Sequence, residues 1–92
     1  MPVFVWDERK RRSNIAKHTI DFRLAIMIWS GPLIVLPARV VEGEVRHIAC
    51  GRLGSDVISV VFTERAGMIR IISARKARHH ERKAFEDHAR HS

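Results

Sequence analysis

The sequence predicts an α+β fold: two N-terminal helices, a four-stranded antiparallel sheet and a C-terminal helix, with the helices on one face. Three observations carry this reading. The first third of the chain has helix-period stretches introduced by aspartates. From Leu33 the apolar residues follow strand periodicity, broken at Glu42-Gly43, Leu53-Gly54-Ser55 and Ala66-Gly67, all turn chemistry. After Arg75 the pattern turns helical again. With 92 residues and 46% hydrophobic content, the chain reads as one domain spanning 1–92, large enough for a core but not a deep one.

The first helix is expected from Asp7, as N-cap, to about His18. Its inward stripe is thin, with the stem of Arg11, Ile15 and Ala16 as candidates. Lys10, Asn14, Lys17 and His18, spaced by four, three and one, align on another side. Asp21 caps a second helix from Phe22 to Trp29, apolar nearly all round and expected to be the most buried element; Ser30-Gly31-Pro32 stops it. Four strands follow: Leu33 to Val41, Glu44 to Arg52, Asp56 to Arg65 and Met68 to Ala74. Pro37 makes the first of them an edge strand or a broken one. The last helix carries only a poor apolar stripe, Ala77, Ala84, Phe85, His88 and Ala89, amid charge.

The net charge of +7, from 17 Lys and Arg against 10 Asp and Glu, points to a polyanionic partner: nucleic acid, an acidic protein or an anionic membrane. Twelve of the 17 cations fall in two segments, Arg9–Arg23 and Arg75–Arg90. The single cysteine, Cys50, forbids an internal disulfide and reads as a buried, inert thiol. No signal peptide is visible, and the longest apolar run, Leu24 to Trp29, is too short to span a bilayer. A soluble, intracellular protein with no membrane role is expected.

The stretch Ser59–Arg75 is the most informative. With Ala66-Gly67 as a two-residue hairpin loop, Arg65 pairs with Met68 and Thr63 with Arg70. Thr63, Arg65 and Arg70 then share one face, while Phe62, Ile69 and Ile71 share the other. Two arginines flanking a hydroxyl match the oxygens of a phosphate; the plainer reading is that they keep an exposed strand from aggregating. On the first helix, His18 and Lys17 could supply a general base and a phosphate clamp, because histidine titrates near neutrality; an ordinary solvated basic helix is the alternative. The histidines at 79, 80, 88 and 91 do not match zinc spacings, and no cofactor motif is present. RNA carries its own nucleophile in the 2′-OH, so a base, a proton donor and cations suffice to cleave it without a metal.

The order and spacing of Phe4, Trp6-Asp7-Glu8, Lys10, Asn14, Lys17-His18, Phe22, Ala25, Gly51-Arg52, Thr63-Glu64-Arg65, the run Ile69–Arg75 and Glu81-Arg82 resemble the BrnT-type ribonuclease toxins of bacterial toxin–antitoxin modules, relatives of the RelE toxins. The resemblance implies a RelE-like fold and RNA cleavage that inhibits translation in the bacterial cytoplasm. It also implies a neutralising antitoxin of ribbon-helix-helix type, through which alone promoter DNA is bound. It puts catalysis on Lys10, His18, Arg65, Arg70 and Arg75, supported by Trp6 and Glu64; the hairpin register adds Thr63 as a supporting residue. Lys17, Arg52 and Arg78 are expected at RNA, and Arg82 and Phe85 at the acidic binding segment of the antitoxin. A non-catalytic basic nucleic-acid-binding or corepressor module with decayed toxin activity is the alternative. Two departures stand out. Thr19 follows Lys17-His18 where the family commonly has glycine, and Phe85 stands where a tyrosine is frequent, so no tyrosine can move a proton here.

Overall fold

The computed structural model describes residues 2–91; Met1 and Ser92, the ends of the expected domain, lie outside the described residues. The elements run β1 (Val3–Trp6), α1 (Glu8–His18), α2 (Phe22–Ala25), a 3₁₀ segment (Ile26–Ser30), β2 (Leu33–Val41), β3 (Glu44–Leu53), β4 (Asp56–Arg65), β5 (Met68–Lys76) and α3 (His79–His91). The α+β class and the β2–β5 meander are as expected. The sheet nevertheless has five strands, in the order β1-β5-β4-β3-β2. The additional strand, β1, pairs parallel to β5, Val3 with Met68 through Trp6 with Ile71. Four residues carry too little period to register as a strand in the sequence, and a parallel partner 65 positions away leaves no local turn signal.

The helices lie on both faces, which corrects the one-sided arrangement. On one face Phe22, Ala25 and Ile28 pack with Ala49, Ile58, Val60, Phe62, Ile69, Ile71 and Ala74. Trp29 bridges edge-on between Phe4 and Phe62 with ring centroids 5.1 and 5.4 Å away. On the other face Phe85 of α3 closes a smaller cluster with Cys50 and Val57. Gly51 lies under the 3₁₀ segment, where a Cβ would come 2.7 Å from Cβ of Ile28. The predicted second helix is therefore shorter and tighter than expected. It is also only half-sheathed, because Leu24 and Met27 point to solvent.

Caps and turns follow local chemistry. Asp7 Oδ1 accepts the backbone N–H of Arg9 (2.8 Å) and of Lys10 (3.2 Å). Asp21 Oδ1 accepts that of Arg23 (2.9 Å), and the Arg23 side chain and N–H, with Arg11, hold its carboxyl down at about 2. The Ala66-Gly67 and Glu42-Gly43 loops have positive φ at both residues, as two-residue hairpins with the right twist require. Two bulges interrupt the ladders, one in β2 between Leu36 and Arg39 and one in β5 opposite Val61/Phe62. The first sits at Pro37, on a strand that is indeed at the sheet edge.

Thr19 ends α1 in the left-handed region, φ 59° and ψ 18°, with its N–H on the carbonyl of Ile15. A β-branched residue is strained there by roughly 1–2 kcal/mol. The greater freedom of glycine in the unfolded chain offsets part of this. Thr19→Gly is therefore expected to stabilise the protein by about 1 kcal/mol, read from the midpoint of chemical denaturation; a destabilised variant would show that the hydroxyl, which donates to the His18 carbonyl at 2.6 Å, outweighs the strain.

Candidate active site

The N-terminal helix is anchored to the sheet by one buried polar side chain. β1 pairs with β5 only as far as Ile71, which leaves the outer edge of β5 without a strand partner beyond that point. Asn14 takes its place. Its Nδ2 donates to the carbonyl of Ala74 (2.8 Å) and of Ile20 (2.9 Å), and its Oδ1 accepts the Ala74 N–H (3.0 Å). A carboxamide thus continues the ladder and satisfies backbone groups that would otherwise be buried without partners. The inward stripe of α1 is accordingly Asn14 with half-buried Arg11 and Ile15, while Ala16 is exposed. Arg11 bonds Glu8 and reaches Asp21 at 3.1 Å, tying the first helix to the second.

This anchoring sets the rest of the basic stripe against β5. Arg9, Lys10, Ser13, Asn14, Lys17 and His18 line an open cleft of about 410 Å³ closed on its far side by Ile72 and Ser73. Among the described residues no carboxylate lines it. Lys10, Lys17 and His18, expected together from their spacing, are together. A second cleft, of about 250 Å³, continues on the other side of Ile72 and Ser73. Its cations are Arg39, Arg46, Arg75 and Arg78, and again no carboxylate among the described residues lines it.

The hairpin register is as expected, Arg65 opposite Met68 and Thr63 opposite Arg70, yet the two arginines do not share a cleft. Arg70 is half-buried beside Val5, Trp6 and Asp7, at the entrance to α1. Arg65 lies at the β2–β3 turn in a recess with Glu42, Glu44 and Glu64, 3.7 Å from Glu44. Three carboxylates around one exposed guanidinium make a poor phosphate grip, and Thr63 is only 4% exposed. Trp6 packs edge-on against Phe22, so its ring supports the core under this corner.

Arg75 is not a free cation. Its guanidinium forks onto Glu81, Nη1 to Oε1 at 2.6 Å and Nη2 to Oε2 at 3.0 Å. Glu81 is 1% exposed; it also accepts the Ser59 hydroxyl (2.9 Å) and the Arg78 N–H (2.8 Å), the latter as the return half of a capping box for α3. Burial pushes the Glu81 carboxyl up, but the bonds from Arg75, Arg78 and Ser59 outweigh it and bring it to about 2. Ser59 also contacts the Cys50 thiol at 3.2 Å, and burial pushes that thiol above its ordinary range. Arg75 therefore forms the floor of the second cleft and the latch of α3.

Of the remaining expected residues, Arg78 alone reaches a cleft; the others lie apart from both clefts or serve the fold. Arg52 lies over the ring of Phe85, 5.7 Å from its centroid. Phe85 is 2% exposed, so it fills this chain's own core and offers no surface to a partner; the sequence stripe looked poor because Glu81 and Phe85 alone bury deeply. Arg82 is exposed on α3, and Arg78 lines the second cleft. Arg39, Arg46 and Ser73 were not singled out as site residues from the sequence. Their convergence depends on bulges whose only local trace is Pro37.

A mixed five-stranded sheet with an anchored basic helix at its edge, and carboxylate-free cationic clefts along β5, defines a small α+β domain with a surface suited to a polyanion. Residues 6–81 match the family model described as "Ribonuclease toxin, BrnT, of type II toxin-antitoxin system", and the chain belongs to that family. Among solved structures it is similar to the 1.1 Å crystal structure of the Brucella abortus ribonuclease toxin BrnT, at 31% identity and a TM-score of 0.69 over 85% of this chain and 99% of that one. A comparison with curated protein sequences found no match. Among the described residues no helix is long and apolar enough to cross a membrane.

Proposed function

We propose that this chain is a metal-independent endoribonuclease toxin whose chemistry takes place in the α1/β5 cleft. The observation that carries the proposal is the meeting of His18, Lys10 and Lys17 with Ser73 in one concavity that no acidic group among the described residues lines. His18 takes the proton of the 2′-OH as it attacks the adjacent phosphorus. Lys10, Lys17 and, from the entrance of α1, Arg70 neutralise the charge that gathers on the phosphorane oxygens. The P–O5′ bond breaks, the leaving 5′-oxygen takes a proton from solvent water in the open cleft, and His18 releases the proton it accepted to solvent, giving a 2′,3′-cyclic phosphate and a 5′-OH. A divalent cation would find no anionic ligand among the described residues of this cleft and would be repelled by its basic lining.

Cleavage of cellular RNA would inhibit translation, and a neighbouring antitoxin would hold the toxin inactive by covering these clefts. An acidic segment laid along β5 toward Arg78 and Arg82 is the complementary partner, and its association would be fast and salt-sensitive. Ribbon-helix-helix architecture in that partner would bring promoter DNA to the complex. Induction of the chain in a bacterium is expected to arrest growth and degrade RNA, and co-induction of the neighbouring gene to restore both. Arrest should be lost with Arg70→Ala. Undiminished growth on induction of soluble wild-type protein would favour the basic binding module without catalysis.

A further inference from the structure

The two β-bulges of this sheet are far apart in sequence, yet each turns an arginine into the same cleft. In β2, Leu36 pairs with Ile48 but Arg39 pairs with Arg46. An unbroken register would place Ala38 opposite Arg46 and turn Arg39 to the opposite face. In β5, Ile71 pairs with Phe62 but Ser73 pairs with Val61, so Ile72 is the extra residue. Had the register run on unbroken, with Ile72 opposite Val61, Arg75 would stand opposite Ile58, on the face of the larger apolar core, instead of opposite Ser59. Bulges re-aim side chains in this way and recur beside functional sites.

The result runs against stability. Arg39 and Arg46 are direct cross-strand neighbours, an arrangement that like charges disfavour. Arg75 and Arg78 close the same cleft. Glu81 engages Arg75 and Glu44 engages Arg46 at 3.3 Å from outside the cleft. Among the described residues no carboxylate pairs with Arg39 or Arg78. Two exposed arginines thus line the cleft with the cations Arg46 and Arg75, next to the α1/β5 cleft, which shares Ile72 and Ser73 with it.

We infer that this second cleft is a phosphate subsite, in which Arg39, Arg46 and Arg78 grip a backbone phosphate of single-stranded RNA flanking the one that His18 and Lys10 address. The inference rests on the ribonuclease reading for which phosphate is scissile, but the grip itself does not require cleavage. The strand crosses β5 at the bulge, over Ser73. Arg75 stays on Glu81 and supplies the floor.

The test measures binding of the full chain to a short 2′-O-methyl RNA, which cannot be cleaved, with one linkage at a time replaced by a neutral methylphosphonate. Wild-type protein should lose about tenfold in affinity when the subsite linkage is neutralised, the size of one charge-assisted contact. Arg39→Ala and Arg78→Ala should each bind the unmodified RNA about tenfold more weakly. They should show little further loss at that same linkage, while retaining the wild-type loss at its neighbour. Equal penalties in wild type and variants at every linkage would overturn the subsite. So would variants that bind this RNA normally but the acidic antitoxin weakly, which would assign the cleft to the protein partner. Unmodified RNA left intact by wild-type protein would instead count against the ribonuclease reading, and the linkage pattern would still decide the subsite.

Discussion

Arg75→Ala is expected to destabilise the fold by about 3–5 kcal/mol, because it strands a carboxylate that has no access to water. Glu81 is 1% exposed, and its Oε1, which Arg75 Nη1 also engages, accepts the N–H at the start of α3 and the hydroxyl of Ser59 in β4. Chemical denaturation at neutral pH should show the loss. The double variant Arg75→Met with Glu81→Leu should recover much of it by removing both charges together. An Arg75→Ala protein of wild-type stability would return Arg75 to the list of free catalytic cations. Acid sensitivity follows from the same pair. The Glu81 carboxyl titrates at about 2 in the folded chain against its ordinary 4.5, so the unfolded chain takes up the proton first as pH falls. The stabilisation is whole above about 4.5 and disappears between there and about 2, and Glu81→Gln should flatten stability across that window.

His18→Ala is expected to lower the rate of RNA cleavage by roughly 10²–10⁴-fold while leaving stability almost unchanged. The imidazole is exposed in the α1/β5 cleft, so its loss removes a proton acceptor and no packing. Free imidazole in the buffer should restore part of the rate to the variant and add little to the wild type. Loss of activity accompanied by a comparable loss of stability would mean that His18 serves the helix corner at strained Thr19 rather than the chemistry. Unaltered cleavage would move the base to another residue.

Much of the fold was legible because its signals are local. Asp7 and Asp21 announce their helices, Ala66-Gly67 sets the hairpin register, and Pro37 marks an edge strand. What escaped depends on partners distant in sequence. β1 is defined by parallel pairing with β5, and Asn14 looks like a member of a solvated basic stripe until Ala74 arrives beside it. The site divides along the same line. Helical spacing alone brought Lys10, Lys17 and His18 together. The expected Arg65–Arg70 grip failed although its register was right, because the β2–β3 turn surrounds Arg65 with glutamates. Arg75 and Phe85 looked available from their own segments. Glu81 and the Cys50–Val57 cluster claim them for the interior.

RNA cleavage by 2′-OH attack in the α1/β5 cleft is tested most directly by the end groups of the products. Purified full-length protein and His18→Ala are incubated with a 5′-labelled RNA in excess EDTA, and the fragments are analysed by mass. Wild-type protein is expected to yield 2′,3′-cyclic phosphate or 3′-phosphate ends with 5′-OH partners, and His18→Ala almost none. Cleavage that stops in EDTA and resumes with magnesium, or fragments bearing 5′-phosphates, would contradict the account.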